Sequence, residues 1–128
     1  MPVTINDNKL IKNGLRPNKN NPQIPKGYNG VYLLGGRANK ISNVLNNEII
    51  DQAPIDTIQL VYYMVVNGAK ATTNISENKL IIPENHNQSI EKYGIGIINC
   101  YNYVDEDSVK KNNTFSKGFK SNIVVDNQ

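Results

Sequence analysis

Side chains able to do chemistry are few in this chain. A catalytic triad needs a nucleophile, a base and an orienting group, yet the only histidine is His86, in the polar stretch E-N-H-N-Q. A lone histidine in such a stretch is more typical of a surface loop than of a catalytic centre. The single cysteine, Cys100, lies in an apolar run, which favours a buried small side chain over a reactive thiol. We therefore predict that the protein is not an enzyme.

Metal and cofactor motifs are also missing. The acidic group Asp105, Glu106 and Asp107 offers oxygen ligands for Ca²⁺, but it lacks the glycine and distal glutamate of an EF-hand loop, so a solvated segment is the better interpretation. One cysteine excludes a zinc site built on paired cysteines. The glycines at 35–36 and 94–96 lack the remaining residues of phosphate-binding loops and are interpreted as bends. No metal site or cofactor is predicted.

Tyrosine and asparagine supply the other candidate chemistry. The chain has 7 Tyr and no Trp, and 22 of its 128 residues are Asn. If exposed, Tyr62, Tyr101 and Tyr103 would form a surface suited to a sugar or a protein partner. The alternative is cross-strand packing within the fold.

The elements that would carry these side chains are strands. Residues 57–66 (T-I-Q-L-V-Y-Y-M-V-V) are β-branched and aromatic and apolar on both sides, which predicts a central strand. The following Asn67-Gly68 predicts a type I′ hairpin, with residues 70–75 returning antiparallel. Further strands are expected at 31–34, 79–82 and 93–104.

One helix is expected outside this β-rich region. Ile41, Val44, Leu45 and Ile49 recur at helical spacing, which predicts a short helix near residues 40–50. No internal repeat is evident. The pattern as a whole predicts an all-β fold, a small antiparallel β-sandwich of Ig-like or jelly-roll-like type with at most that one helix.

The domain organisation follows from length and loop composition. At 128 residues the chain is expected to form a single β-domain. Residues 1–27 read as an extended N-terminal segment with a Pro-rich connector, and residues 105–128 as a polar linker followed by a short strand. The apolar triplet Ile123, Val124 and Val125 is either an edge strand of this domain or an interaction arm added to a neighbour's sheet.

Charge and hydropathy exclude two classes of partner. The formal net charge is +3, and the 12 Lys and 2 Arg are scattered rather than gathered in a basic stripe, so no nucleic-acid partner is expected. The N-terminus lacks the basic and apolar regions of a signal peptide. No apolar run reaches the ~18–20 residues needed to span a bilayer. We expect synthesis in the cytoplasm and no membrane insertion.

These observations favour a non-catalytic structural or assembly protein. The expected role is a small component of a larger particle such as a phage virion, as a capsid-decorating, fibre-base or tail protein. Its partners would be other protein subunits, in a homo- or hetero-assembly. The alternative is a carbohydrate- or ligand-binding β-sandwich module that uses a Tyr and Asn surface.

Overall fold

The structure is a computed structural model, which describes residues 3–11, 30–35, 40–52, 60–84 and 90–128. Within these ranges the strands are β1 (Thr4–Asn6), β2 (Lys9–Ile11), β3 (Val31–Leu34), β4 (Ser42–Leu45), β5 (Glu48–Ile50), β6 (Leu60–Asn67), β7 (Thr73–Ser76), β8 (Lys79–Ile81), β9 (Glu91–Ile98), β10 (Thr114–Phe115) and β11 (Ser121–Asp126). A 3₁₀ helix covers Tyr101–Tyr103, and helix α1 covers Glu106–Asn112.

The strands form three parallel sheets. Sheet A has the order β1-β4-β7, sheet B the order β10-β8-β5-β2, and sheet C the order β11-β9-β6-β3. Consecutive strands lie in different sheets, and every pairing joins a strand to its counterpart from the preceding or following turn of the chain. The described part of the chain therefore winds as a parallel β-helix of four coils. In the last coil α1 takes the place of a fourth strand in sheet A, against β7.

A column of asparagines holds successive coils together at the corner between sheets A and B. Asn8, Asn47, Asn78 and Asn113 follow one another at spacings of 39, 31 and 35 residues. The Oδ1 of Asn78 accepts from both the backbone N–H and the Nδ2 of Asn47, each at 2.9 Å. The Nδ2 of Asn78 donates to Val44 O at 2.8 Å and to Asn113 Oδ1 at 2.9 Å. We call this column the asparagine ladder.

The ladder satisfies the amides of its two central rungs, which have almost no access to water. Asn47 and Asn78 are both 1% exposed, and both hydrogens of each Nδ2 are used. A buried amide left without partners costs about 1–3 kcal/mol per polar group. Each coil is thus held in one register against the next.

Apolar side chains stack in the same register inside the coil. The four inward columns are Ile5–Val44–Ile75, Leu10–Ile49–Leu80–Phe115, Val31–Met64–Ile95–Ile123 and Leu33–Val66–Ile97. Val44, Ile49, Met64, Leu80 and Ile95 are completely buried. Burying one such side chain contributes roughly 1.5–3 kcal/mol relative to exposure, so these columns form the core.

Left-handed residues turn the chain at two of the corners. Asp7, Asn46 and Glu77 immediately precede the ladder asparagines and have φ values of 59°, 54° and 59°. At the end of sheet C, Gly35, Gly68 and Asn99 have φ values of 66°, 70° and 50°. Each of these last three donates its backbone N–H to a carbonyl of the next coil. A single left-handed residue therefore redirects the chain into the next sheet.

The antiparallel β-sandwich prediction is wrong, and the turn at Asn67-Gly68 shows why. A type I′ hairpin needs φ > 0 at both central residues, but only Gly68 is left-handed, and Asn67 is the last residue of β6. The next strand, β7, then joins sheet A beside β4 instead of returning along β6. The strand itself is confirmed, since β6 lies between β3 and β9 in sheet C.

The helix expected near residues 40–50 is also wrong. This region forms β4 and β5, joined at the left-handed Asn46. The helix prediction assumed that Ile41, Val44, Leu45 and Ile49 share one buried face. In the structure Val44 and Ile49 are buried, whereas Ile41 and Leu45 are more exposed.

The C-terminal region also differs from the expectation. The observed α-helix lies at 106–112, where a polar linker was expected, with Asp105 as its N-cap. The Pro-rich connector lies outside the described residues.

Removing one rung should test the ladder. Asn78→Ala removes the acceptor of the Asn47 N–H and of one Asn47 Nδ2 hydrogen, together with the Nδ2 donor to Val44 O, so we expect a loss of about 3 kcal/mol or more of unfolding free energy. Urea unfolding followed by circular dichroism measures it. Asn74→Ala, on an exposed asparagine of β7, is the control and should cost under ~0.5 kcal/mol. Equal losses in the two variants would contradict the ladder's role.

Substitutions at Gly68 test the cost of the left-handed backbone alone. A Cβ added at this corner would meet nothing within 4 Å, so no steric clash contributes. We expect Gly68→Asn to cost under ~1 kcal/mol, since asparagine tolerates this conformation and Asn99 adopts it at the equivalent corner. Gly68→Val should cost about 2 kcal/mol because a β-branched side chain is strained there. Thermal unfolding of the two variants compares them. Equal melting temperatures would contradict this explanation of the corner.

Candidate functional site

A groove lies on the outer side of sheet A, where α1 replaces a strand. It has a volume of about 440 Å³, and one wall carries Asn43 and Leu45 of β4 with Asn74 and Ser76 of β7. The opposite wall carries Tyr103 and Asp105 with Ser108 and Asn112 of α1. We call this the amide groove.

Short contacts fix the polar groups on both walls. Asn74 Nδ2 donates to Asn43 Oδ1 at 3.0 Å, across the β4–β7 pair. On the helix side, Asn112 Nδ2 donates to Ser108 Oγ at 2.9 Å, and Asp105 Oδ1 accepts from the Ser108 N–H at 3.3 Å. The floor is closed by Ile75 and Val109, which are 3% and 2% exposed.

A second candidate surface is the outer side of sheet C, which we call the tyrosine face. Tyr62 and Tyr93 are register partners there, and their rings stack with centroids 5.0 Å apart. Beside them, Val65 pairs with Gly96, where an added Cβ would lie 3.1 Å from the Tyr62 ring. Leu34 and Leu60, at opposite ends of the face, are 71% and 40% exposed.

Charged groups line one end of the tyrosine face. Lys120 Nζ lies 2.7 Å from a Glu91 carboxylate oxygen, and Tyr93 OH donates to the other oxygen at 2.9 Å. Both hydrogen bonds hold the pKa of Glu91 below its usual value. Burial, with the neighbouring Tyr93, raises the pKa of Tyr62. The face therefore combines an apolar centre with a paired-charge rim.

A buried polar cluster lies inside the coil where sheet B passes to sheet C. Lys92 is the register partner of the core residue Val61 and is 1% exposed. Burial lowers the pKa of its ammonium, and the Asp51 carboxylate opposes that shift. Burial also raises the pKa of Tyr63, with Asp51 adding to the rise. The Tyr63 ring meets Phe119 edge-on at 4.9 Å.

The three candidate tyrosines do not form one site. Tyr62 belongs to the tyrosine face, whereas Tyr101 and Tyr103 are exposed on the 3₁₀ helix. Tyr101 OH donates to Gln128 O, and only Tyr103 lines the amide groove. The triplet Ile123, Val124 and Val125 lies in β11, paired with β9 of the same chain, so the edge-strand alternative is the one observed.

The remaining candidates are placed as follows. Cys100 is completely buried, as expected, and its Sγ contacts the carbonyls of Val66 and Ile98 at 3.4 and 3.2 Å. His86 lies outside the described residues. Across the described ranges, no three His, Cys, Asp or Glu residues gather as metal ligands. Nor does any helix in the described part of the chain have the length and apolar character to cross a membrane.

Sequence reasoning missed Asn43, Asn74 and the helical wall of the groove. A repeat carries the missing signal: residues 5–11 (I-N-D-N-K-L-I), 44–50 (V-L-N-N-E-I-I) and 75–81 (I-S-E-N-K-L-I) align with the ladder asparagine at the fourth position. In that alignment Asn43 and Asn74 are equivalent, which places them side by side in neighbouring coils. The unequal spacing of the repeats, caused by loops of different length, obscured the pattern.

Comparison with known proteins identifies no relative. No family model matches the chain, and neither the curated proteins nor the solved structures contain a match. Functional inference therefore rests on the two surfaces themselves.

The buried Lys92 predicts a pH dependence. Because its pKa is lowered on folding, the folded state binds fewer protons than the unfolded state between the lowered value and the ordinary 10.5. The unfolding free energy should therefore rise with pH through that alkaline window. Lys92→Met should remove this contribution. Urea unfolding of both proteins from pH 7 to 10 measures it, and parallel profiles would contradict the assignment.

Proposed function

We propose that this protein is a non-catalytic structural subunit that packs against other protein subunits in a larger assembly, such as a phage virion. The observation that carries the proposal is the apolar tyrosine face. Parallel sheets occur almost only where both faces are covered, and the inner face of sheet C already lies on the core. A partner subunit would cover the outer face.

The side chains of the tyrosine face resemble those of protein interfaces. Stacked tyrosines bring large contact areas with few rotatable bonds, and aromatic residues are enriched in interface centres. The Glu91–Lys120 pair stands at the edge, where a polar rim is expected. Two exposed leucines, Leu34 and Leu60, extend the apolar area along the sheet. These features support packing against a protein surface.

The rigidity of the coil also supports a structural role. A register held by buried amides presents the outer side chains at fixed positions, so little conformational entropy would be lost when a partner docks. A phage virion is named as one assembly of this kind because of the β-rich character of the chain. Copies of this chain are the first partners to test, because most soluble oligomers are symmetric homo-oligomers.

Charge placed on the tyrosine face should disrupt the assembly. We expect the wild-type protein to form oligomers in sedimentation velocity, and Leu34→Glu and Leu60→Glu to shift it toward monomer because a carboxylate would be buried without a partner. Ile41→Glu is the matched control, since Ile41 is 55% exposed but precedes β4 of sheet A. Circular dichroism checks that each variant folds.

Two results would contradict this proposal. One is a wild-type protein that remains monomeric at the highest concentration reached. The other is an oligomer that Ile41→Glu weakens as much as the two variants of the tyrosine face.

A further inference from the structure

The amide groove is distinct from the tyrosine face, because one lies on sheet A and the other on sheet C. Its volume of about 440 Å³ falls within the range of roughly 300–1,000 Å³ typical of small-molecule sites. The groove is concave and is held by the ladder on one side and by α1 on the other. It therefore provides a rigid site that the proposed assembly does not use.

The polar groups of the groove alternate between donors and acceptors. The Asn74–Asn43 bond uses one hydrogen of Asn74 Nδ2 and accepts on Asn43 Oδ1, which leaves the Nδ2 of Asn43 and the Oδ1 of Asn74 for a ligand. Opposite them, the Ser108 hydroxyl accepts from Asn112 and keeps its own hydrogen to donate. Groups of both kinds match hydroxyls, which donate and accept at once.

Apolar surface lies between these polar groups. Tyr103 is 40% exposed, and Leu45 lines the same groove. A phenol ring combines an apolar face with a polar tip. This pairing suits a ligand whose rings carry hydroxyls at the edge and C–H groups on the face.

The charge of the lining selects against anions. Among the described residues that line the groove, Asp105 is the only charged one, and none of them is a lysine or an arginine. A phosphate, sulfate or uronate would meet a carboxylate without a compensating cation. A neutral ligand that carries hydroxyls avoids this repulsion and matches the amide and hydroxyl groups of the walls.

An extended peptide fits the groove poorly, because α1 already occupies the edge of β7. Asn113 Nδ2 donates to Ile75 O at 2.9 Å, and Glu77 N donates to Asn112 O at 2.7 Å. Strand addition needs a continuous free edge, and these bonds interrupt it. We propose that the amide groove is a binding site for a neutral saccharide.

Titration of the ¹⁵N-labelled protein tests the site. The probes are neutral hexasaccharides (cello-, malto-, xylo- and chito-oligosaccharide), with oligogalacturonate as the anionic comparison and an extended peptide library as the competing ligand. We expect amide shifts at Asn43, Asn74, Tyr103 and Ser108 with at least one neutral saccharide and none with oligogalacturonate. No shift with any neutral saccharide, or a response to peptide along β7, overturns the proposal.

Variants sharpen the test. Asn74→Ala and Tyr103→Ala should each weaken saccharide binding by about tenfold or more, which corresponds to ~1.4 kcal/mol. Tyr101→Ala is the matched control, because Tyr101 is on the same 3₁₀ helix, is 57% exposed and does not line the groove. Equal weakening by Tyr101→Ala and Tyr103→Ala overturns the assignment.

One further variant tests how the charge of Asp105 affects the choice of ligand. Asp105→Asn removes the negative charge but keeps an N-cap of similar strength. It should leave binding of the neutral saccharide within about threefold and raise the affinity for oligogalacturonate. If the anionic sugar binds both proteins equally, the groove does not select by charge and the neutral-ligand proposal fails.

Discussion

The asparagine ladder is the constraint on which the rest of the structure depends. Asn47 and Asn78 each place a buried amide between two coils, and each amide finds its full set of partners only in one register. A shift of one residue would leave these groups unpaired and would turn every side chain to the opposite face of its sheet. The apolar columns and the outer rows of side chains share the register that the ladder sets.

The end of the ladder explains the position of the amide groove. Asn113, the last rung, donates to Ile75 O and turns its second Nδ2 hydrogen back to Val109 O within its own coil. Asn113 is thus the C-cap residue of helix α1, which lies where sheet A would continue. The bulk of the helix against β7 leaves a concave surface instead of a flat strand edge. The groove is thus a consequence of how the fourth coil departs from the other three.

Sequence patterns predicted the positions of strands better than they predicted which strands pair with each other. The short apolar runs within 31–34 and 79–82 and the long β-branched and aromatic run that became β6 are strands, because such residues fit a pleated and covered surface. Asn67-Gly68 was misinterpreted because a left-handed glycine serves both a hairpin and a β-helix corner. Likewise, Val44 and Ile49 fit a helical spacing only when the left-handed turn at Asn46 is ignored.

The sequence by itself determined the β-rich character of the chain and the burial of Cys100, because composition and local pattern are properties of short segments, whereas the repeated asparagine was recognised only once the coils were seen. Only the tertiary structure decided that the sheets are parallel, that Tyr62 and Tyr103 lie on different surfaces, and that Asn43 and Asn74 face Ser108. Neighbouring coils alone join residues 31 to 39 positions apart, and the groove joins residues farther apart still. They depend on how loops of unequal length bring successive coils into register, which no local pattern encodes.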